Sequence, residues 1–153
     1  MDLYLVQHGE AKPEAEAPER PLTERGRLEV QRVARAAVRA GLGVGHIAHS
    51  GKLRARQTAE ILGAELRPSG GVSELAGLAP MDDPAIVRRA LADMPGPTML
   101  VGHLPHLRRL TSLLVVEDPA REIVAFRMGA IVCLSNDGGR WRLKWILTPD
   151  LVP

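Results

Sequence analysis

The sequence is poor in aromatic residues: two Trp, one Tyr and one Phe among 153 residues. The core must therefore be built mainly from Leu, Val, Ile and Ala. The stacked aromatic platforms that hold single-stranded nucleic acid are poorly supported. There is one cysteine, Cys133, so no disulfide can form within the chain, and a reducing, cytoplasmic setting is expected. Cys133 sits in the apolar run AIVCLS and reads as a small core residue. No apolar run approaches the roughly 18 residues of a membrane-spanning helix. No signal-like segment precedes the first apolar stretch, so neither a membrane nor a secreted setting is expected. Neither sign of charge dominates. Twenty Lys and Arg face eighteen Asp and Glu, a formal net charge of +2. That is no nucleic-acid footprint, but it suits a small anionic group. Internal repeats are absent, and no His, Cys or carboxylate set has metal-ligand spacing, so no metal and no cofactor are expected.

Hydrophobic residues make up 45% of the chain, a globular proportion. The length predicts one domain spanning residues 1–153. The apolar run LYLV predicts a first strand that stops at Gln7. Residues 11–21, AKPEAEAPERP, read as an exposed loop, a plain solvated connection in preference to the alternative of a substrate-facing flap. In LTERGRLEVQRVARAAVRAG, Thr23 can cap a helix that Gly41 ends. HIAH predicts a short strand, and KLRARQTAEILGAEL a second helix. AIVRRALADM predicts a third helix, TMLV a buried strand, and LPHLRRLTSLLV a fourth helix with His106 on its surface. REIVAF, AIVCLS and WRLKWILT predict two or three further strands, with Asp137-Gly138-Gly139 turning between the last two. Strands alternating with helices predict an α/β fold, a three-layer sandwich whose mainly parallel central sheet is flanked by helices.

Three segments share one layout. LYLV runs into Gln7-His8-Gly9. HIAH runs into Ser50 and then a helix carrying Arg54 in its first turn. TMLV runs into Gly102-His103-Leu104-Pro105. Polar groups just past the carboxyl ends of strands stand where open α/β sheets bind ligands. Gly9 and Gly102 let a ligand approach the backbone. Taken singly, His8 and His103 read as structural histidines, Ser50 as a helix cap and Arg54 as a surface charge. Together with a helix amino terminus they make an anion site, and phosphate is the obvious anion. His46 and His49, three apart on a strand, face opposite sides and make a poor metal pair.

LYLVQHGEA, PLTERG, HSGKLRARQTAEIL, VGHLPHL and the ending FRMGAIVCL…WRLKWILTPDLV together resemble the histidine phosphatase superfamily. The short length and the ending are most similar to its SixA-type phosphohistidine phosphatases. The resemblance implies a phosphoglycerate-mutase-like fold and a metal-independent reaction. It implies His8 as the nucleophile that becomes transiently phosphorylated, with Arg54 and His103 holding the phosphoryl oxygens. Gln7, Gly9 and Ser50 would complete the phosphate site, Ser50 through a supporting hydrogen bond. Relatives use a carboxylate as general acid. Glu74, in SELAGL, is the preferred candidate, with Asp82 and Asp83 as alternatives. A phosphohistidine substrate would need less help, since imidazole leaves readily.

The resemblance breaks at Gln7, where most relatives carry arginine. An amide has neither the charge nor the planar fork of a guanidinium. Losing one such donor costs about 10²–10³ in rate unless another cation replaces it. Lys12, Lys52, Arg56 and Arg108 are the candidates. The implied function is hydrolysis of phosphohistidine on a signalling protein. The alternatives are a small-molecule phosphomonoesterase with the same nucleophile, or a weakened phosphate-binding regulatory module.

Overall fold

The computed structural model describes residues 1–153. Six strands form one sheet: β1 (Asp2–Gln7), β2 (His46–His49), β3 (Val72–Glu74), β4 (Thr98–Gly102), β5 (Ile131–Asp137) and β6 (Arg140–Leu147). Four helices connect them: α1 (Glu24–Arg39), α2 (Leu53–Leu66), α3 (Pro84–Leu91) and α4 (His106–Val116). The strand order is β3-β2-β4-β1-β5-β6. The first four are parallel, and β5 and β6 run antiparallel at one edge. The α/β sandwich with a mainly parallel sheet is thus the fold that is found.

Alternation along β1 explains the three layers. Tyr4 and Val6 pack with Val30, Val33 and Ala34 of α1 and Ala55, Ala59 and Leu62 of α2. Leu3 and Leu5 pack on the opposite face with Val87 and Leu91 of α3 and Leu107, Leu110 and Leu114 of α4. Side chains two apart share a face of a strand, so a continuous apolar run buries both sides at once. Cys133 is a buried member of the first face, as its apolar setting predicts.

Local chemistry sets the element ends. Thr23 Oγ1 accepts from the Gly26 N–H at 3.0 Å and caps α1. Glu24 lies in the first turn of that helix and Arg39 in the last, each complementing the helix dipole. Gly138 and Gly139, with φ of 66° and 82°, join β5 to β6. Two consecutive left-handed residues make the tight turn that matches the twist of a hairpin.

Three expectations are corrected. REIVAF, Arg121–Phe126, forms no strand. Val124 and Phe126 pack against the α3 and α4 side of the core, so its apolar residues mark burial without strand pairing. β3 was not anticipated, because VSE is short, exposed and polar. It forms by pairing with β2, not by burying a face. His106 lies fully buried in the first turn of α4, not on its surface.

Gly26 sits where α1 crosses the chain just beyond β1, and a Cβ there would run into the backbone of Glu10. Helix propensity alone would make Gly26→Ala stabilising by about 1 kcal/mol. We expect the opposite, a loss of about 1–3 kcal/mol from overpacking, read as a lower urea midpoint at unchanged slope.

Candidate active site

The carboxyl ends of β1, β2 and β4 lie side by side, because Gln7 pairs with Gly102 and His49 with Val101. This brings the polar groups that follow each strand to one crevice. The His8 N–H donates to the Gly102 carbonyl at 3.1 Å, fixing the chain beyond β1 to the end of β4. The Gly9 N–H donates to Thr58 Oγ1 at 3.0 Å, and that hydroxyl donates to the Arg54 carbonyl at 2.8 Å. A short relay therefore ties the His-Gly pair to the first turn of α2. Thr58 is a positioning residue that sequence reasoning missed; one helical turn beyond Arg54 was the available signal.

His8 is nearly buried. Its Nδ1 lies 2.7 Å from the Gly9 carbonyl oxygen. A carbonyl only accepts, so Nδ1 carries the proton and Nε2 keeps its lone pair. Burial pushes the His8 pKa down to about 4, opposed by the Gly9 hydrogen bond and reinforced by Arg54 and Arg20. At neutral pH the ring is an uncharged imidazole with a free nucleophilic nitrogen. His103 stands opposite, with ring centroids 5.1 Å apart. Burial, reinforced by the fixed charges of Arg54 and Lys52, lowers its pKa to about 3.

Ser50 Oγ and His103 Nε2 share a hydrogen bond of 2.6 Å, and Ser50 Oγ also accepts from the Lys52 N–H at 3.3 Å. Ser50 thus holds His103. The turn beyond Ser50 is held in turn by His49, whose Nδ1 accepts from the Gly51 N–H at 3.0 Å. His46 instead bonds Ser73 Oγ at 2.7 Å, so the two histidines of β2 diverge as expected. No group of three or more His, Cys, Asp or Glu side chains is arranged to hold a metal.

The cations are distributed unevenly. Arg54 Nε is buried without a hydrogen-bond partner, and burial followed by the Arg20 charge lowers the Arg54 pKa. Of the cations considered as replacements at Gln7, Lys12 pairs with Glu16 and Arg56 with Glu60. Arg108 lines a separate cavity with Asp82 and Asp83. Lys52 contributes its charge at His103. The cation that acts on both His8 and Arg54 is Arg20, which the sequence reading left within a solvated loop.

The acids lie at the rim or farther off. Glu74 ends β3 as an exposed residue against Gly51, and its charge acts on His49. Asp82 accepts from the Ala79 N–H, and Asp83 caps α3. Both act on His106. No carboxylate is among the charges that shift His8 or His103. His8 and His103 are buried, at 7% and 2% exposure, so only a small part of each ring faces the solvent.

Residues 3–82 match the histidine phosphatase superfamily (branch 1). The chain belongs to this superfamily. Its members are phosphatases, and the neutral His8 imidazole beside Arg54 and His103 fits that chemistry. An uncharacterised protein of Picosynechococcus sp. is 41% identical over 115 residues, which cover 70% of this chain and 68% of that one. Among solved structures, the protein histidine phosphatase SixA complexed with tungstate is similar, with a TM-score of 0.87 and 26% identity over 98% of each chain. A putative phosphohistidine phosphatase SixA from Agrobacterium tumefaciens shares the fold, with a TM-score of 0.80 and 23% identity over 97% of each chain.

Two buried neutral histidines have consequences for pH. Their folded pKa values, about 4 and about 3, lie below the ordinary value of about 6.5 that they regain on unfolding. The unfolded chain therefore binds more protons across that window, and stability falls as pH drops from about 6.5 towards the folded values. An NMR titration of the His8 ring should show Nδ1–H as the only tautomer at pH 7 and a midpoint near 4. A midpoint near 6.5 would contradict the burial argument.

Proposed function

We propose that this histidine phosphatase removes phosphate from phosphorylated histidine on a protein. The observation that carries this reading is that no carboxylate hydrogen-bonds His8, Ser50 or His103, while Asp82 is engaged by the Ala79 N–H and Asp83 by the Ala85 N–H. An ester leaves as an alkoxide and needs a proton from a positioned acid. Phosphohistidine leaves as an imidazole, which needs far less help. A site with phosphate-holding cations and no acid among them suits the second leaving group. The likeness to the SixA phosphatase points the same way.

The steps follow from the atoms present. His8 Nε2 attacks phosphorus as the bond from phosphorus to the substrate nitrogen breaks. The electron pair leaves with the substrate imidazole, which takes a proton from water. Arg54 and His103 hold the phosphoryl oxygens, and Ser50 holds His103 in place. A water then attacks phosphorus as the bond to Nε2 breaks, and the proton it sheds neutralises the hydroxide left by the first step. Phosphate departs and neutral His8 is restored, its Nδ1–H having stayed on the Gly9 carbonyl throughout. No metal or cofactor enters this scheme.

The test compares phosphate release from a phosphohistidine-bearing protein domain with release from an aryl phosphate and a sugar phosphate, all with chelator present. Wild type should favour the phosphohistidine domain. His8→Ala should be inactive on all three. Glu74→Gln should stay within about threefold of wild type on phosphohistidine, since lost general-acid help would instead cost about 10²–10⁴. A preference for the sugar phosphate, removed by Glu74→Gln, would overturn the proposal in favour of a small-molecule phosphomonoesterase.

A further inference from the structure

We propose that Arg20 supplies the second guanidinium of the phosphate site and takes over the charge that position 7 lacks. The inference rests on the phosphatase reading of His8 and assigns the residue that completes its anion site.

The backbone brings Arg20 to the site. The chain leaves β1 through His8 and Gly9, makes the excursion of residues 11–21, and doubles back along itself. Ala11 pairs with Leu22 in an antiparallel bridge, and the Lys12 N–H donates to the Pro21 carbonyl at 2.8 Å. The returning strand is pinned to α2 by the Leu22 N–H, which donates to Gln57 Oε1 at 2.8 Å. Gln57 lies one helical turn beyond Arg54. Leu22 also packs against Gly9. Arg20 is two residues from Leu22, so its backbone enters on the side of the His-Gly pair that faces α2, and its charge acts on both His8 and Arg54.

The side chain is held but not neutralised. Arg20 Nε donates to the Lys12 carbonyl at 3.1 Å. Its two terminal nitrogens make no hydrogen bond within the protein, and no carboxylate pairs with it. Arg54 has no ion pair either, and its buried Nε is unpartnered. Lys12 and Arg56, by contrast, each have a glutamate. Two guanidiniums that converge on one neutral histidine without a counter-ion repel each other. A dianion between them removes that repulsion and accepts the free donors of both forks. Gln7 offers only a neutral amide, whose side chain makes no hydrogen bond within the protein.

The backbone conformation gives an independent indication. Arg20 has φ of 52°, in the left-handed region. The other two non-glycine residues there, Arg67 and Glu117, are the C-caps of α2 and α4. Arg20 ends no helix. A bulky residue held in this region outside a cap marks a place where the surrounding structure enforces a direction.

The experiment uses wild type, Gln7→Arg, Arg20→Gln, Arg20→Gly and the double variant Gln7→Arg/Arg20→Gln. Calorimetric binding of inorganic phosphate and of tungstate is the first readout, and kcat/KM the second. Arg20→Gln should weaken both anions by tenfold or more and lower kcat/KM by about 10²-fold, the scale of a lost oxyanion donor. Arg20→Gly relieves the backbone conformation while removing the charge, and should lose as much. Gln7→Arg in the Arg20→Gln background should restore most of the loss, since either position then supplies one fork. Anion binding within threefold of wild type in Arg20→Gln would overturn the proposal. So would full affinity in Arg20→Gly, which would trace any Arg20→Gln defect to the loop. A loss that Gln7→Arg leaves unrepaired would also overturn it. Anion binding is read without turnover, so failure of the phosphohistidine assignment leaves this test intact.

Discussion

The hydrogen bond from His8 Nδ1 to the Gly9 carbonyl is the interaction on which the site depends. It leaves one ring nitrogen available, faces that nitrogen away from the backbone, and survives every step of the proposed cycle. It needs a tightly folded His-Gly pair, and the surroundings enforce one. A Cβ on residue 9 would press into Val30 Cγ2 at 2.8 Å, so α1 closes over this point with no room for a side chain. The Thr58 hydroxyl holds the Gly9 N–H from the other side. Packing of α1 and α2 against β1 thus sets the tautomer of His8.

Burial gives the two histidines their character. A histidine at its ordinary pKa would be partly charged in a weakly acidic solution, and a charged ring is no nucleophile. Desolvation holds His8 and His103 neutral, while the fixed positive charge needed to hold phosphate comes from arginine, which does not titrate in this range. In the proposed reaction, nucleophile and clamp are thereby separated by residue type. Lysine would serve less well in the second role, because its ammonium lacks the planar fork that meets two phosphoryl oxygens at once.

Much of this was legible in the sequence, and the reasons are particular. Continuous apolar runs such as LYLV and TMLV leave little choice but buried parallel strands, and the polar residues after them then meet at one end of the sheet. That alone aligned His8, Ser50, Arg54 and His103. The misses have physical causes. Val72–Glu74 pairs through its backbone, which leaves no trace in side-chain pattern. Arg121–Phe126 has the apolar residues of a strand but spends them on packing. His106 is a polar residue buried at a helix start, where composition predicts exposure. Arg20 was hidden because a charged residue in a loop rich in Pro, Glu and Ala reads as solvated. Its direction is set by a left-handed φ and by the bridge between Ala11 and Leu22, neither of which has a sequence signature.

Arg20 and Arg54, left without carboxylates, also bear on what the free protein is. An anion that binds only the folded chain stabilises it in proportion to the logarithm of its concentration. Under the proposed function, inorganic phosphate is both the product and the counter-ion that these two guanidiniums lack. Wherever phosphate exceeds its dissociation constant at this site, the product complex would be the resting form, and an arriving substrate would first have to displace it. The rate of turnover would then follow the phosphate level around the enzyme as well as the supply of phosphorylated partner.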